Sequence, residues 1–289
     1  MESIAFLGAG LIGAGMVEAA RGRGEEVAVW NRSPDKARAL ERFGARAAAS
    51  PAEAVAGATR VHVALSDDAA VDGVLDQAAP ALAEGALVLD HTTASPAGTA
   101  ARAARCEQRG IAFLHAPVFM SPAACREATG IILCAGPRAR FDRAQPALAR
   151  MTGEVVWLGE RPDLAAVFKL CGNAMIVAIA AGLADVFAMA AAQGVAPDDA
   201  LGLFQKFNPT GAIQVRGRRM AQGDFSPSFA MTMARKDVRL MMEAAGEEPL
   251  AALPGIAARM DQLIAEGHGD EDMGALAVAS VGRARRGGG

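Results

Sequence analysis

The chain has 289 residues, of which 52% are hydrophobic and 21% are charged. This length allows one large domain or two ordinary ones, and the composition is typical of a folded globular protein rather than a disordered one. The formal net charge of −3 leaves no basic excess with which to bind nucleic acid or an anionic membrane. We therefore expect neither as a partner.

The cysteines indicate a protein of a reducing compartment. They form no CxxC pair and have no neighbouring histidine, so we expect reduced thiols in the core and no metal site. The four are Cys106, Cys125, Cys134 and Cys171. Residues 1–3 are acidic and only a short apolar run follows them, so we predict no secretory signal and expect a cytoplasmic location.

The most apolar stretch covers residues 174–184, between Asn173 and Asp185. A membrane-spanning helix needs about 20 apolar residues. Because this stretch is shorter, the sequence predicts a buried helix and no membrane association.

The first part of the chain alternates short apolar runs with helical patterns. The predicted strands are 4–7, 27–30, 61–65, 87–89, 112–114, 131–134 and 155–157. Helical patterns between them include 11–23, 34–43, 69–78 and 96–109. Continuous apolar strands that alternate with helices predict an α/β Rossmann-type domain, with a doubly wound parallel sheet covered on both faces.

After Gly159 the strand pattern ends. Residues 164–193 read as one long helix that is apolar nearly all round, which predicts that most of its surface is buried. Further helices are predicted at 197–207, 211–222, 228–245, 249–266 and 271–281. We therefore expect a Rossmann domain over 1–160 and an all-α C-terminal domain over 161–289, with an interdomain helix at 164–193 and a frayed tail at 285–289.

A glycine-rich turn lies between the first predicted strand and the first predicted helix. Gly8, Gly10 and Gly13 form a G-x-G-x-x-G pattern, with Leu11 and Ile12 between the last two. In this context the first glycine makes a tight turn, the second lets backbone approach a pyrophosphate, and the third lets helix and strand pack closely. The free N–H groups of the helix N-terminus favour phosphate. The turn therefore predicts a dinucleotide site rather than a purely structural bend.

The end of the second predicted strand indicates which dinucleotide binds. An NAD site usually has Asp or Glu there, whereas this strand ends in Asn31, Arg32 and Ser33. Arg32 can pair with a 2′-phosphate, and the other two can donate hydrogen bonds to it. Asp35 is expected in the first turn of the next helix. The pattern favours NADP, and the alternative is that Arg32 is only a surface residue of a loop.

Five motifs in order give the chain a family resemblance. They are GAGLIGAGMVEAARGRG near the N-terminus, LSDDAAVDGVL, DHTTASP, KLCGN, and GDFSPSFAMTMARKD towards the C-terminus. On these motifs the chain resembles the β-hydroxyacid dehydrogenase family, which includes 3-hydroxyisobutyrate dehydrogenases and glyoxylate/succinic semialdehyde reductases. The resemblance spans nearly the whole chain and implies a nicotinamide-dependent oxidoreductase.

The resemblance implies roles for individual residues. Lys169 matches the catalytic lysine, and Asn173, on the same helix face one turn later, matches the residue that positions substrate. Thr93 matches the hydroxyl near the nicotinamide ribose and substrate. In the C-terminal motif, Phe229 and Lys236 match the residues that approach the nicotinamide.

Two further features concern the cofactor and the substrate. Leu65 and Ser66 open the second motif and are expected to contact the cofactor. The family usually has Ser-Gly-Gly after APV to hold a substrate carboxylate, whereas this chain has Phe119, Met120 and Ser121. Without the glycines the easiest backbone route to an anion site is lost, which predicts a more apolar substrate pocket.

Together these features predict an NADP(H)-dependent enzyme. It would transfer hydride between nicotinamide and a small aldehyde, semialdehyde or β-hydroxy acid, with Lys169 as general acid and base. An imine reductase is one alternative, opposed by Lys169 and mildly favoured by the Phe119–Met120 pair. A non-catalytic dinucleotide-binding protein is the other. The long apolar helix leads us to expect a homodimer or homotetramer.

Overall fold

A parallel sheet of six strands forms the centre of the first half of the chain, in the order β3-β2-β1-β4-β5-β6. The computed structural model describes residues 3–281, so the predicted tail at 285–289 lies outside the described residues. The strands are β1 (Ser3–Leu7), β2 (Glu26–Trp30), β3 (Arg46–Ala47), β4 (Arg60–Val63), β5 (Leu87–Asp90) and β6 (Ala112–His115). Apolar side chains from both faces are buried in separate clusters. This is the predicted Rossmann-type, doubly wound arrangement.

A second, smaller sheet follows, whose strands β8 and β9 were predicted to belong to the first sheet. It contains β7 (Val118–Phe119), β8 (Ile131–Cys134) and β9 (Glu154–Trp157). β7 runs antiparallel to β8, and β8 runs parallel to β9. The prediction that the last two strands continue one parallel sheet is therefore wrong. Pro117 lies directly before β7, and because proline has no N–H to donate, the chain leaves the large sheet there.

Helices cover the sheets of the first half. They are α1 (Leu11–Gly22), α2 (Pro34–Arg38), α3 (Pro51–Val55), α4 (Asp68–Ala78), α5 (Pro96–Gln108), α6 (Pro122–Glu127) and α7 (Arg138–Leu148). The predicted helix 34–43 is shorter than expected: α2 ends at Arg38, and a 3₁₀ turn at Glu41–Phe43 leads into Gly44, whose φ is +85°. As predicted, Asp35 lies in the first turn of α2.

The second half of the described chain is helical, as predicted. Its helices are α8 (Leu164–Ala192), α9 (Pro197–Lys206), α10 (Thr210–Gln222), α11 (Met231–Ala245) and α12 (Leu253–Leu263). The predicted helix 249–266 begins later, at Leu253, where the carboxylate of Asp185 accepts the backbone N–H groups of Ala251, Ala252 and Leu253. The predicted helix 271–281 begins with a 3₁₀ turn at Met273–Ala277.

The prediction that α8 is mostly buried is wrong. Met175, Ile176 and Val177 are 46%, 58% and 67% exposed. The length argument against a membrane span is also wrong, since α8 has 29 residues and is the one helix among residues 3–281 that is long and apolar enough to cross a bilayer by those criteria. Its buried Lys169 and Asp185 are nevertheless charges that a lipid environment disfavours.

The chain divides into two compact units within α8, after Asn173. The predicted boundary of 160/161 lies thirteen residues earlier, at the end of β9. The difference arises because Leu164 and Ala165 pack with Leu133 and Val156 of the small sheet. The first turns of α8 thus belong to the Rossmann unit.

The described cysteines are all free. Cys106, Cys125 and Cys134 are buried as expected, and burial raises the pKa of the Cys106 thiol to about 11 and that of Cys134 to about 12. Cys171 on α8 is exposed, so its predicted core position is wrong.

Candidate cofactor site and active site

The turn between β1 and α1 requires glycine at two of its three motif positions. Gly8 has φ +117°, and a Cβ there would lie 2.1 Å from the carbonyl oxygen of Ala64. A Cβ on Gly13 would lie 2.2 Å from the carbonyl oxygen of Gly8, so this glycine lets helix and strand approach. Gly10 at the start of α1 has open space where its Cβ would be. The helix N-terminus is therefore accessible to a ligand, as a phosphate site requires.

This turn opens into a cavity of about 860 Å³ within the Rossmann unit. The cavity is lined by most of the predicted cofactor residues and by three predicted substrate residues. They are Gly10, Leu11, Ile12, Gly13, Asn31, Arg32, Ser33, Leu65, Ser66, Thr93, Met120 and Lys169. The size and mixed lining are those of a small-molecule or cofactor site.

The other predicted site residues lie elsewhere. Gly8 does not line the cavity, although its positive φ forms the glycine turn. Phe119 does not line the cavity and packs towards α8 instead. Ser121 is exposed, and its Oγ accepts the N–H of Ala124 at 3.1 Å as the cap of α6. Asn173 is half-buried at the end of the Rossmann unit, one turn after Lys169.

Phe229 and Lys236 belong to the second unit, and their expected approach to the nicotinamide stays a prediction. Asp272 holds the segment around Phe229, because its buried carboxylate accepts the N–H groups of Ser228 and Phe229. These bonds and those from the Ser228 hydroxyl and Gly274 N–H outweigh burial and hold the pKa of Asp272 well below its usual value.

At the end of β2, polar and cationic side chains surround one end of the cavity. Oδ1 of Asn31 accepts the N–H of Ala9 at 3.1 Å, and its Nδ2 donates to the carbonyl oxygen of Ser33 at 3.0 Å. An aspartate there could make the first bond but not the second. Arg32 is exposed and lines the cavity together with Lys36. Lys36 was not among the predicted cofactor residues, although it lies four residues after Arg32, within α2.

The loop after β5 forms another wall. The buried hydroxyl of Thr92 accepts the N–H of Leu65 at 3.1 Å. The backbone N–H of Thr92 donates to Oδ1 of Asp90 at 3.0 Å. The neighbouring Thr93 is exposed and lines the cavity. Thr92 therefore serves the structure, while the hydroxyl of Thr93 is the one available to a ligand.

Two buried histidines support this wall, and no sequence motif indicated them. Arg60 Nε donates to Nε2 of His62 at 3.0 Å, and Nδ1 of His62 lies 2.8 Å from Nε2 of His91. Nδ1 of His91 lies 2.7 Å from the carbonyl oxygen of Ala116. The hydrogen-bond order requires both rings to be neutral with the proton on Nδ1. Burial lowers the pKa of both, which keeps this contact to the cavity-lining His91 uncharged.

Lys169 lies on the second turn of α8 and reaches the cavity while it is only 9% exposed. Burial lowers the pKa of its amine. Its Nζ lies 3.9 Å from the centroid of the Phe119 ring. Within residues 3–281, no carboxylate oxygen lies within salt-bridge distance of Nζ. A buried amine without an acidic partner is easier to deprotonate than a surface lysine, as acid–base chemistry requires.

Comparison with known proteins identifies the family. Residues 3–159 match the family described as the NAD binding domain of 6-phosphogluconate dehydrogenase. Residues 164–279 match the one described as NAD-binding of NADP-dependent 3-hydroxyisobutyrate dehydrogenase. The chain belongs to the β-hydroxyacid dehydrogenase family. It is an NAD(P)-dependent oxidoreductase of this family, as its motifs predicted.

Similar proteins include enzymes named as aldehyde and semialdehyde reductases. The oxidoreductase YfjR of Bacillus subtilis is 30% identical over 94% of this chain and 98% of its own length. The 3-sulfolactaldehyde reductase of Escherichia coli is 27% identical over 96% of this chain and 95% of its own. Glyoxylate/succinic semialdehyde reductase 2 of Arabidopsis thaliana is 28% identical over 96% of this chain and 79% of its own length.

Solved structures with the same fold include imine reductases. The Streptomyces aurantiacus imine reductase has a TM-score of 0.88 at 25% identity, covering 96% of this chain and 99% of its own. The Myxococcus stipitatus imine reductase in complex with NADP⁺ has a TM-score of 0.87 at 20% identity, covering 95% and 98%. The β-hydroxyacid dehydrogenase and imine reductase architectures are therefore the same, and the chemistry has to be argued from side chains.

Proposed function

We propose that the protein is an NADP(H)-dependent reductase of small aldehydes and semialdehydes, able to oxidise β-hydroxy acids in reverse, with Lys169 as general acid and base. The observation that carries the proposal is the position of Lys169. Its buried amine lines the same cavity as the glycine turn and the cationic pair Arg32–Lys36. One cavity thus combines features for a phosphorylated dinucleotide with a group that can transfer a proton.

The residues present fit NADP(H). The open space at Gly10 and the N-terminus of α1 suit the pyrophosphate. Arg32 and Lys36 supply two positive charges where an NAD-selective site would place an acid. Asp35, the nearest carboxylate in sequence, binds Arg38 at 2.5 Å and does not line the cavity.

When bound, the nicotinamide supplies or accepts the hydride. In the reductive direction, the Lys169 ammonium stabilises the negative charge that develops on the carbonyl oxygen and then gives that oxygen a proton. In the oxidative direction, the neutral amine accepts the proton of the hydroxyl. The lowered pKa of Lys169 makes this form more accessible. Asn173, four residues later on α8, has the role of orienting the same oxygen.

The cavity wall favours substrates with a small or distant anionic group. Val118 and Met120 present apolar side chains to the cavity, and Ser121, the third residue of the altered segment, caps a helix. The relatives named for 3-sulfolactaldehyde and for glyoxylate or succinic semialdehyde support aldehydes as the substrate class.

Imine reduction is the second candidate function. The apolar wall at Val118 and Met120 favours it, because an imine carries no carboxylate to be held. Lys169 opposes it, because an iminium cation beside a buried ammonium is electrostatically unfavourable.

A substrate panel tests the proposal. Oxidation of NADPH and of NADH is followed with succinic semialdehyde, glyoxylate, short aldehydes and cyclic imines. The proposal expects aldehydes with NADPH to give the highest kcat/KM. Turnover of cyclic imines alone would support the second function, and cofactor binding without turnover of any compound would support a non-catalytic protein.

A further inference from the structure

We propose that Phe119 is a positioning residue for Lys169: its ring face holds the ammonium in place at the cavity wall and favours the charged form. The inference rests on the proposed function, because it matters for catalysis only if Lys169 is the acid and base. It gives a role to Phe119, which stands at the first position of the family's usual Ser-Gly-Gly segment. This role differs from the one that the sequence predicted for Phe119, which was to form part of the substrate pocket.

The strand geometry of β7 directs Phe119 away from the substrate. Successive side chains of a strand point to opposite faces. Val118 and Met120 line the cavity, and Phe119 between them joins the cluster formed by the small sheet and Leu164 and Ala165. Pairing of Phe119 with Ile131 of β8 fixes this orientation. The ring therefore faces the beginning of α8, where Lys169 lies.

Gly172 provides the space that the ring needs. A Cβ on Gly172 would lie 2.3 Å from Cζ of Phe119 and 2.7 Å from its Cε1. The ring thus packs directly against the α8 backbone one turn after Lys169. A glycine inside a helix is less favourable than an alanine there. Close approach of an aromatic ring is a physical reason for its presence here.

The ring is also the electrostatic partner of the ammonium. Nζ of Lys169 lies 3.9 Å from the ring centroid, well inside the roughly 6 Å range of a cation–π contact. Such contacts strengthen when the cation is removed from water, and Lys169 is buried. No carboxylate within the described residues takes this role. The ring therefore opposes the effect of burial and keeps more of the amine protonated than an aliphatic neighbour would.

Direct observation of the lysine signals tests this contact without any assay of activity. The chain has only four lysines, Lys36, Lys169, Lys206 and Lys236. Protein labelled with ¹³C-lysine therefore gives few Cε–Hε signals, and Lys169→Arg identifies the one of interest. In the wild type we expect its Hε signal upfield of the others, because it lies over a ring face. In Phe119→Leu we expect this upfield displacement to be lost and the titration midpoint of the amine to fall by about 0.4–1.5 pH units.

Three further variants separate positioning from a general loss of packing. In Gly172→Ala the new methyl group displaces the ring, and we expect the same spectral change while the aromatic residue remains. Adding Phe119→Leu to Gly172→Ala should then produce little further change, since both remove one contact. Phe141→Leu is the matched control, because Phe141 is buried in the same unit but lies beside Trp157. It should leave the Lys169 signal unchanged.

The outcomes distinguish this inference from the proposed function. An Lys169 signal that is identical in wild type and Phe119→Leu, with both proteins folded by thermal melting, would overturn the positioning role. An equal change in Phe141→Leu would overturn it as well. Loss of activity in Lys169→Ala alongside an unchanged spectrum in Phe119→Leu would leave the proposed function standing and reject only the inference. Full activity of Lys169→Ala would reject the proposed function, whatever the spectra show.

Discussion

At the scale of single residues, the proposed function depends on Lys169, and two features of its surroundings have opposite effects on its pKa. Burial lowers the pKa of Lys169, while the ring of Phe119 favours the charged form. Under the proposed function, this amine acts as acid in the reductive direction and as base in the oxidative one. Lys169 was predicted from its motif, whereas the orientation of Phe119 was not, because it depends on which face of a two-residue strand the ring occupies.

The pH dependence of the reaction follows from this lysine. Reduction needs the ammonium, so its kcat/KM should fall as pH rises through the folded-state pKa of Lys169. Oxidation needs the neutral amine, so its kcat/KM should rise through the same value. Because burial lowers this pKa, both midpoints should lie below the 10.5 of an ordinary lysine. Rate profiles in both directions check this, and limbs that change in the same sense would contradict it.

The second prediction at this scale concerns cofactor choice. Arg32→Ala should weaken NADPH binding by about 10- to 150-fold, the worth of a charged hydrogen bond, while NADH binding changes little. Lys36→Ala should act in the same direction, because Lys36 lines the same cavity. Arg38→Ala on the same helix is the control, since Arg38 binds Asp35 outside the cavity. Fluorescence titration measures the affinities, and equal losses for both cofactors would contradict the account.

At the scale of elements, local signals predicted the large sheet and its glycine turn. β1 and α1 were predicted because an apolar run, three glycines and a periodic helix are adjacent in sequence. β7 and α6 were missed because they have only two and six residues and depend on pairing or capping by other segments. The His62–His91 contact was missed for a related reason, as its residues are 29 positions apart.

Two glycines of α1 provide a test at this scale. Gly13→Ala places a Cβ 2.2 Å from the carbonyl oxygen of Gly8, so it should destabilise the fold by about 1–3 kcal/mol and weaken cofactor binding. Gly22→Ala at the other end of α1 meets no atom within 4 Å and should stabilise by up to about 1 kcal/mol. Thermal melting measures both. A Gly13→Ala protein as stable as the wild type would contradict the close packing.

At the scale of the whole molecule, the sequence predicted both fold classes but misjudged how α8 is covered. The sequence pattern of α8 indicates a helix that is apolar all round. It does not indicate whether the same chain or a second copy covers that surface. Residues 174–179 are largely exposed, and neither α9 nor α10 contains a buried residue. Contiguous apolar surface of this kind marks interaction sites in soluble proteins.

We therefore predict a homo-oligomer in which a second copy covers part of this surface. Light scattering should give a mass of at least two chains of 29.6 kDa. Val177→Glu, at a position 67% exposed in the single chain, should shift the protein towards the monomer because it would bury a charge at the interface. Glu127→Gln, a change in α6, is the surface control. A monomeric wild type would contradict this prediction.

The role of Lys169 as acid and base of a reductase is tested most directly by the kcat of Lys169→Ala with NADPH and an aldehyde substrate identified by the panel. We predict that kcat falls by about 10²- to 10⁴-fold, the usual contribution of a general acid, while NADPH binding is nearly unchanged. Lys169→Arg should not restore activity, because a guanidinium does not titrate near neutrality. A Lys169→Ala enzyme that keeps more than about a tenth of the wild-type kcat would contradict the account.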